Sequence, residues 1–187
     1  LYFADQLINE IYSTDLKGDY QMRNVRTVLQ TIDVLNKAEF TISKEVVQRG
    51  LLKVSENTGL RGRWEVLGSS PKIICDTAHN REGLKLVFKQ LLEEEFEKLH
   101  LVLGMVNDKD IYSLLKLFPV SAHYYFCKPN VTRGLGASQL ADIFTENGFK
   151  GSIYSSVKNA LNAAKKSASQ GDIIYIGGST FVVAEII

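Results

Sequence analysis

Lys72-Ile73-Ile74-Cys75-Asp76-Thr77-Ala78-His79-Asn80 is the stretch whose reading decides the fold. It opens as a short apolar run of strand character and ends that run on a carboxylate. A turn then brings an imidazole, and Asn80 opens an amphipathic helix that reads to about Glu94. In an open parallel α/β sheet, ligands collect where strands end and helices begin. Asp76 and His79 belong at such an edge. Taken alone, each residue also has a plainer role: a strand-end Asp forms turns or caps helices, a nearby His is often a surface residue, and Asn80 suits a helix N-cap. The segment stands out because Arg63, Asp76, His79 and Asn80 fall close together in the sequence.

From Lys72 onward the pattern alternates. Strand-like runs at about 72–76, 99–104, 122–127, 152–155 and 172–177 are separated by helical patterns at about 80–95, 109–118, 137–147 and 157–169. This predicts an α/β fold with a mostly parallel, doubly wound sheet flanked by helices. Upstream, Val25, Val28, Leu29, Ile32 and Leu35 recur at helical spacing and predict a helix over about 20–37. Ser43 suits the cap of a second helix reaching about Val54, with Glu45 in its first turn. Residues 1–18 read as irregular, with room for an edge strand, and the Gly-rich run from Asn57 to Ser70, closed by Pro71, reads as a connector. The expected organisation is a mainly helical tail of an upstream domain over 1–56, a linker over 57–70 and an α/β domain over 71–187.

In a sheet of this kind the loops after successive strands share one edge. Asp76/His79, Met105–Asp110, Lys128–Arg133, Ser155/Ser156 and Gly177–Ser179 are therefore expected near one another. Lys109, Lys128 and Arg133 suit an anionic small ligand there, although loop cations are equally often solvated.

Composition narrows the class. With 45% hydrophobic and 23% charged residues the chain is an ordinary globular sequence, and a net charge of +1 gives no field for nucleic acid or an anionic membrane. No apolar stretch approaches the ~20 residues of a membrane span, and no secretory leader pattern is present. Cys75 and Cys127 sit in apolar runs and read as core side chains in a reducing compartment, with no metal site. Leu1 opens the chain and both methionines, Met22 and Met105, are internal, so the expectation is a piece whose natural start lies upstream. No Gly-x-x-x-x-Gly-Lys-Ser/Thr phosphate cradle occurs in these residues, and Gly134-Leu135-Gly136 lacks the third glycine of a dinucleotide fingerprint.

Gly62-Arg63-Trp64-Glu65, Ile74-Cys75-Asp76-Thr77-Ala78-His79-Asn80 and Gly104-Met105-Val106-Asn107-Asp108-Lys109-Asp110, in that order, resemble the folylpolyglutamate synthase/dihydrofolate synthase family, relatives of the Mur ligases. Gly18-Asp19-Tyr20-Gln21-Met22-Arg23-Asn24 and Gly177-Gly178-Ser179 are similar to two further stretches of that family. The resemblance covers nearly the whole chain and corresponds to the C-terminal part of such an enzyme. It implies a Mur-ligase C-terminal-like domain within an ATP-dependent ligase that adds L-glutamate to a folate or dihydropteroate carboxylate. ATP and Mg2+ would be bound mainly by an N-terminal domain outside this chain.

By the same resemblance, Asn24, Arg63 and Asp76 would contact the nucleotide. Asp76 and His79 would serve catalysis, and His79, Ser179 and Lys109 would hold substrate; Arg133 is expected to join them as a substrate-binding residue on its place at the shared loop edge alone. Asp76 would reach the ribose or the interdomain hinge, and Ser179 has the alternative of a simple helix cap. Thr77 stands where many relatives carry a small residue. The implied protein is cytoplasmic and monomeric, takes only small-molecule partners and holds no metal of its own. Two other readings stay open: the corresponding region of a Mur-type peptidoglycan ligase, and a non-catalytic module that binds a small ligand.

Overall fold

Ile173-Ile174-Tyr175-Ile176-Gly177 and Leu99-His100-Leu101-Val102-Leu103 are buried at every position, which in a strand means that both faces are covered. They are adjacent central strands of a six-stranded sheet. A computed structural model describes residues 2–5, 10–108 and 110–187. These form two compact units, Leu1–Arg63 and Trp64–Ile187.

In the first unit, β1 (Tyr2–Asp5) and β2 (Glu10–Ser13) pair antiparallel, so the region read as irregular with room for an edge strand contains two paired strands. Three helices follow: α1 (Gln21–Lys37), α2 (Lys44–Leu52) and α3 (Val54–Thr58). Ser43 caps α2 by accepting the Val46 N–H, as its position predicts. Asp15 caps α3 from a distance, accepting the N–H groups of Val54 at 3.2 Å and Ser55 at 2.9 Å. Tyr12, Val25, Val47 and Leu51 form the small core. Val28, expected on the same face, is instead 44% exposed.

In the second unit, β3 (Glu65–Ser69), β4 (Lys72–Cys75), β5 (Leu99–Leu103), β6 (His123–Phe126), β7 (Lys150–Ile153) and β8 (Ile173–Gly177) lie in the order β3-β4-β8-β5-β6-β7. All neighbours are parallel except β3, which pairs antiparallel with β4. Glu65–Ser69 therefore departs from its reading as connector. Its glycine and mixed polarity conceal a strand whose extended state comes from pairing with β4.

Helices cover both faces. The chain between strands supplies α4 (Arg81–Leu92), α5 (Ile111–Leu114) with a following 3-10 turn, α6 (Ala137–Glu146) and α7 (Val157–Ser167), and α8 (Thr180–Ala184) follows β8. Ile73, Cys75, Val102, Tyr125, Ile174 and Ile176 point to the face covered by α7 and α8. On the other face Phe88, Phe118 and Phe144, from α4 to α6, meet the rings of Tyr124, Phe126 and Tyr175. Each such side chain contributes roughly 1.5–3 kcal/mol on full burial. β7 is exposed along its length and forms the outer edge, guarded by Lys150.

A buried polar network fixes the starts of the strands. Asp172, just before β8, accepts the N–H of Lys98 at 3.0 Å and of Ser169 at 2.7 Å. His100 bridges it to β6, with Nε2 3.2 Å from Asp172 Oδ2 and Nδ1 2.9 Å from the Tyr125 hydroxyl. No helix among the described residues is long and apolar enough to cross a membrane.

Candidate functional site

Because β4, β8, β5, β6 and β7 are parallel, their C-terminal ends share one edge, and the loop after each opens there. The ladder continues past the strand ends: Asp76 N–H donates to Ile176 O at 3.1 Å and Cys127 N–H to Leu103 O at 3.0 Å. The loops after β4, β8, β5 and β6 are thus consecutive along the edge.

Asp76 is 2% exposed and turns its carboxylate inward. Oδ2 accepts the Trp64 N–H at 2.7 Å and Oδ1 the Ala78 N–H at 2.8 Å. The residue thus shapes the loop that carries His79. His79 is exposed, and its Nδ1 lies 3.0 Å from Thr77 O. A carbonyl only accepts, so Nδ1 carries the proton and Nε2 is the ring atom left to meet a ligand. Asn80 caps α4, accepting the Gly83 N–H at 2.8 Å.

Ser179 follows β8 and is 2% exposed. Its hydroxyl accepts the Phe181 N–H at 3.2 Å, a helix cap. Gly178 before it has φ +89, and a Cβ there would lie 2.5 Å from Leu103 Cδ1 and 2.8 Å from Gly104 O. Only glycine fits both the backbone angle and the approach of the β5 loop.

The loops after β5 and β6 are zipped together. Asn107 N–H donates to Arg133 O and Leu135 N–H to Met105 O, both at 2.9 Å. Arg133 Nη1 then reaches Asp108 Oδ2 at 3.3 Å, and its guanidinium carbon stands 5.0 Å from the centre of the Phe181 ring. The sequence places the loop of Asp108 near that of Arg133, as found, but does not mark Phe181 as a partner of the guanidinium. The only local signal was Phe181's place in the first turn after the glycines.

Asp76, His79, Ser179 and Arg133 are therefore brought to one edge of the second unit. Ser155 and Ser156 open the loop after β7, farther along, where Ser156 caps α7. Asn24 and Arg63 belong to the first unit. Both are exposed there, and the Asn24 amide donates to Gln21 Oε1 at 2.8 Å. Lys109 lies outside the described residues. Among the described residues no group of three or more His, Cys, Asp or Glu side chains converges as a metal would need. Cys75 and Cys127 are buried, and burial, with the negative charge of Glu185, pushes the Cys127 thiol up to about 12. That thiol is a core side chain, not a nucleophile.

Comparison with known proteins gives this edge its context. Residues 62–180 match the family described as Mur ligase, glutamate ligase domain. Over 171 residues, 91% of the chain, the sequence is 32% identical to a probable bifunctional folylpolyglutamate synthase/dihydropteroate synthase of Haloferax volcanii. The chain spans 20% of that relative's length. The fold is similar to the folylpolyglutamate synthase of Mycobacterium tuberculosis complexed with ADP and AMPPCP, with TM-score 0.77 and 25% identity over 93% of this chain and 41% of that one. It is also similar to a bifunctional folylpolyglutamate synthase/dihydrofolate synthase with Mn, AMPPNP and L-glutamate bound, with TM-score 0.70 and 28% identity over 83% of this chain and 36% of that one. With a family match that runs from Gly62 past the Ser179 cap and takes in the whole loop edge, the chain belongs to the Mur ligase family through its glutamate ligase domain.

Proposed function

We propose that this chain is the C-terminal part of a cytoplasmic, ATP-dependent ligase that adds L-glutamate to a folate or dihydropteroate carboxylate. The observation that carries this reading is the match of residues 62–180 to a glutamate ligase domain, on a sheet whose loop edge presents His79 and Arg133. Relatives named for folate–glutamate ligation match over 91% of the chain, and one similar structure holds a nucleotide analogue together with L-glutamate.

In the reaction, ATP phosphorylates the folate carboxylate. The glutamate amine then attacks the acyl phosphate, and phosphate leaves from a tetrahedral intermediate. Catalysis is largely placement plus stabilisation of developing negative charge. Arg133 and Lys109 hold a glutamate carboxylate through charge-assisted hydrogen bonds. Ser179 supports the same subsite by fixing the start of α8. His79, through Nε2, orients phosphate or the incoming glutamate.

Asn24 offers the donor and acceptor that adenine N6 and N7 require. Arg63 supplies a permanent planar cation to the nucleotide phosphates or ribose. Asp76 contacts the nucleotide ribose or the interdomain hinge, and its carboxylate also holds the Trp64 backbone. ATP phosphates and magnesium are held mainly by the N-terminal domain of the ligase, as the family resemblance implies. The ligase works as a monomer on small molecules only.

The test is an assay of the purified 187-residue chain with ATP, magnesium, a folate and L-glutamate, beside the full ligase that carries it. The chain alone is expected to hydrolyse no ATP and form no glutamyl amide, and the full ligase to do both. Turnover by the chain above a no-enzyme control overturns the assignment as a dependent part, and a full ligase inactive with folates overturns the substrate class.

A further inference from the structure

One loop residue and one residue of α8 meet the guanidinium of Arg133. Asp108, from the loop after β5, accepts from Nη1 at 3.3 Å, and Phe181, from the first turn after β8, lies under the cation with its ring centre 5.0 Å from Cζ. The backbone at this junction is already fixed, because Asn107 bonds Arg133, Leu135 bonds Met105 and Val106 bridges Gly134. What these bonds leave open is the side chain itself, which is 56% exposed. An exposed arginine ordinarily samples many rotamers, and freezing them costs binding free energy each time a ligand is caught.

Phe181 is a firm platform. It is half-buried, and its N–H donates to the buried Ser179 hydroxyl, so its backbone is tied to the cap of α8. A cation over a ring face at an exposed site raises the population of the held rotamer by about two- to fivefold. Asp108 fixes the rotation about the same group from its edge. A guanidinium presents five donors in one plane, so donors beyond Nη1 lie in the plane that the ring face does not cover.

We propose that Phe181 and Asp108 are positioning residues that preset the Arg133 guanidinium as the receptor for a carboxylate of the amino-acid substrate. Resting on the glutamate-ligase reading, the inference assigns them to substrate affinity and not to the rate of bond formation. Neither residue touches substrate in this scheme. Both act through Arg133.

The experiment has two readouts. In the 187-residue chain, 15N relaxation of the Arg133 Nε–H reports the order of the side chain without any substrate. In the full ligase, steady-state kinetics separate KM for L-glutamate from KM for ATP and from kcat. Phe181→Leu is expected to release the Nε–H to fast motion and to raise the glutamate KM by about three- to tenfold, leaving kcat and the ATP KM within about twofold. Phe181→Tyr, which keeps a ring face, is expected to restore both readouts, and Asp108→Asn to shift both in the direction of Phe181→Leu. Should Phe181→Leu lose cooperative unfolding, Asp108→Asn is an exposed, isosteric change that carries the same two measurements.

Unchanged Arg133 relaxation in these variants overturns the proposal. So does a released side chain with an unmoved glutamate KM. A ligase that uses no glutamate at all overturns the functional reading instead, while the relaxation measurement still decides whether the clamp exists.

Discussion

Oδ2 of Asp76 lies 2.7 Å from the backbone nitrogen of Trp64 and accepts its hydrogen bond. Trp64 has φ +49, a left-handed conformation that disfavours a bulky side chain, and it is 3% exposed. Such a backbone costs of order 1–3 kcal/mol and persists only where its surroundings hold it. The buried Asp76 carboxylate is one such hold, and it joins the end of β4 to the residue that follows Arg63. A carboxylate that reads in sequence as a ligand contact is, in the fold, first a brace for two loops.

Asp76→Ala is therefore expected to lower stability as well as activity. It strips acceptors from the Trp64 and Ala78 N–H groups, each loss costing about 1–3 kcal/mol. Thermal or urea unfolding of the 187-residue chain checks this. A variant as stable as wild type would return Asp76 to the role of a pure ligand contact.

His79→Ala should behave in the opposite way. The ring is exposed and its hydrogen bond to Thr77 O is local. The stability change should stay under about 0.5 kcal/mol, as for ordinary surface substitutions. In the full ligase the rate of glutamate addition should fall far more than that. Retained ligation with intact folding would make His79 a surface histidine.

What the sequence could and could not tell divides along the range of the interactions involved. Apolar runs such as Ile173–Ile176, bounded by turn residues, declare buried parallel strands because the signal lies within each run. Glu65–Ser69 does not, since its strand state depends on pairing with β4 and includes a bulge between Val66 and Gly68. Residue types at the edge were legible, but not their orientation. That the Asp76 carboxylate accepts the N–H groups of Trp64 and Ala78 is one such orientation, and no residue type announces it. Asp15 capping α3 and Phe181 beneath Arg133 join residues far apart in the chain, and no local pattern records such pairs.

Arg63 is exposed at the end of the first unit. In the full ligase Arg63→Ala should remove one charge-assisted contact, of order 1.5–3 kcal/mol, and weaken productive ATP use roughly tenfold to a hundredfold. Arg63→Lys should recover only part of this, because an ammonium lacks the planar fork. Wild-type kinetics in both variants would reduce Arg63 to a connecting residue.

Asp172 gives the fold a defined dependence on pH. Burial pushes its carboxyl up, but the Ser169 N–H, the His100 ring and the Lys98 N–H outweigh burial and hold it below the usual carboxylate value. A carboxyl depressed in the folded state stabilises the fold above its unfolded pKa of about 3.9, and that contribution is lost as pH falls through the lower folded value. Asp172→Ala would leave the His100 Nε2–H and two backbone N–H groups without their acceptor, and is expected to cost about 3–5 kcal/mol near neutral pH. The gap in urea-unfolding free energy between wild type and Asp172→Ala should then narrow as pH is lowered from about 6 to about 3, because acid removes from the wild type what the substitution has already removed. A gap that stays constant across that range would mean that Asp172 holds the strand starts by its shape and packing alone, and not by its charge.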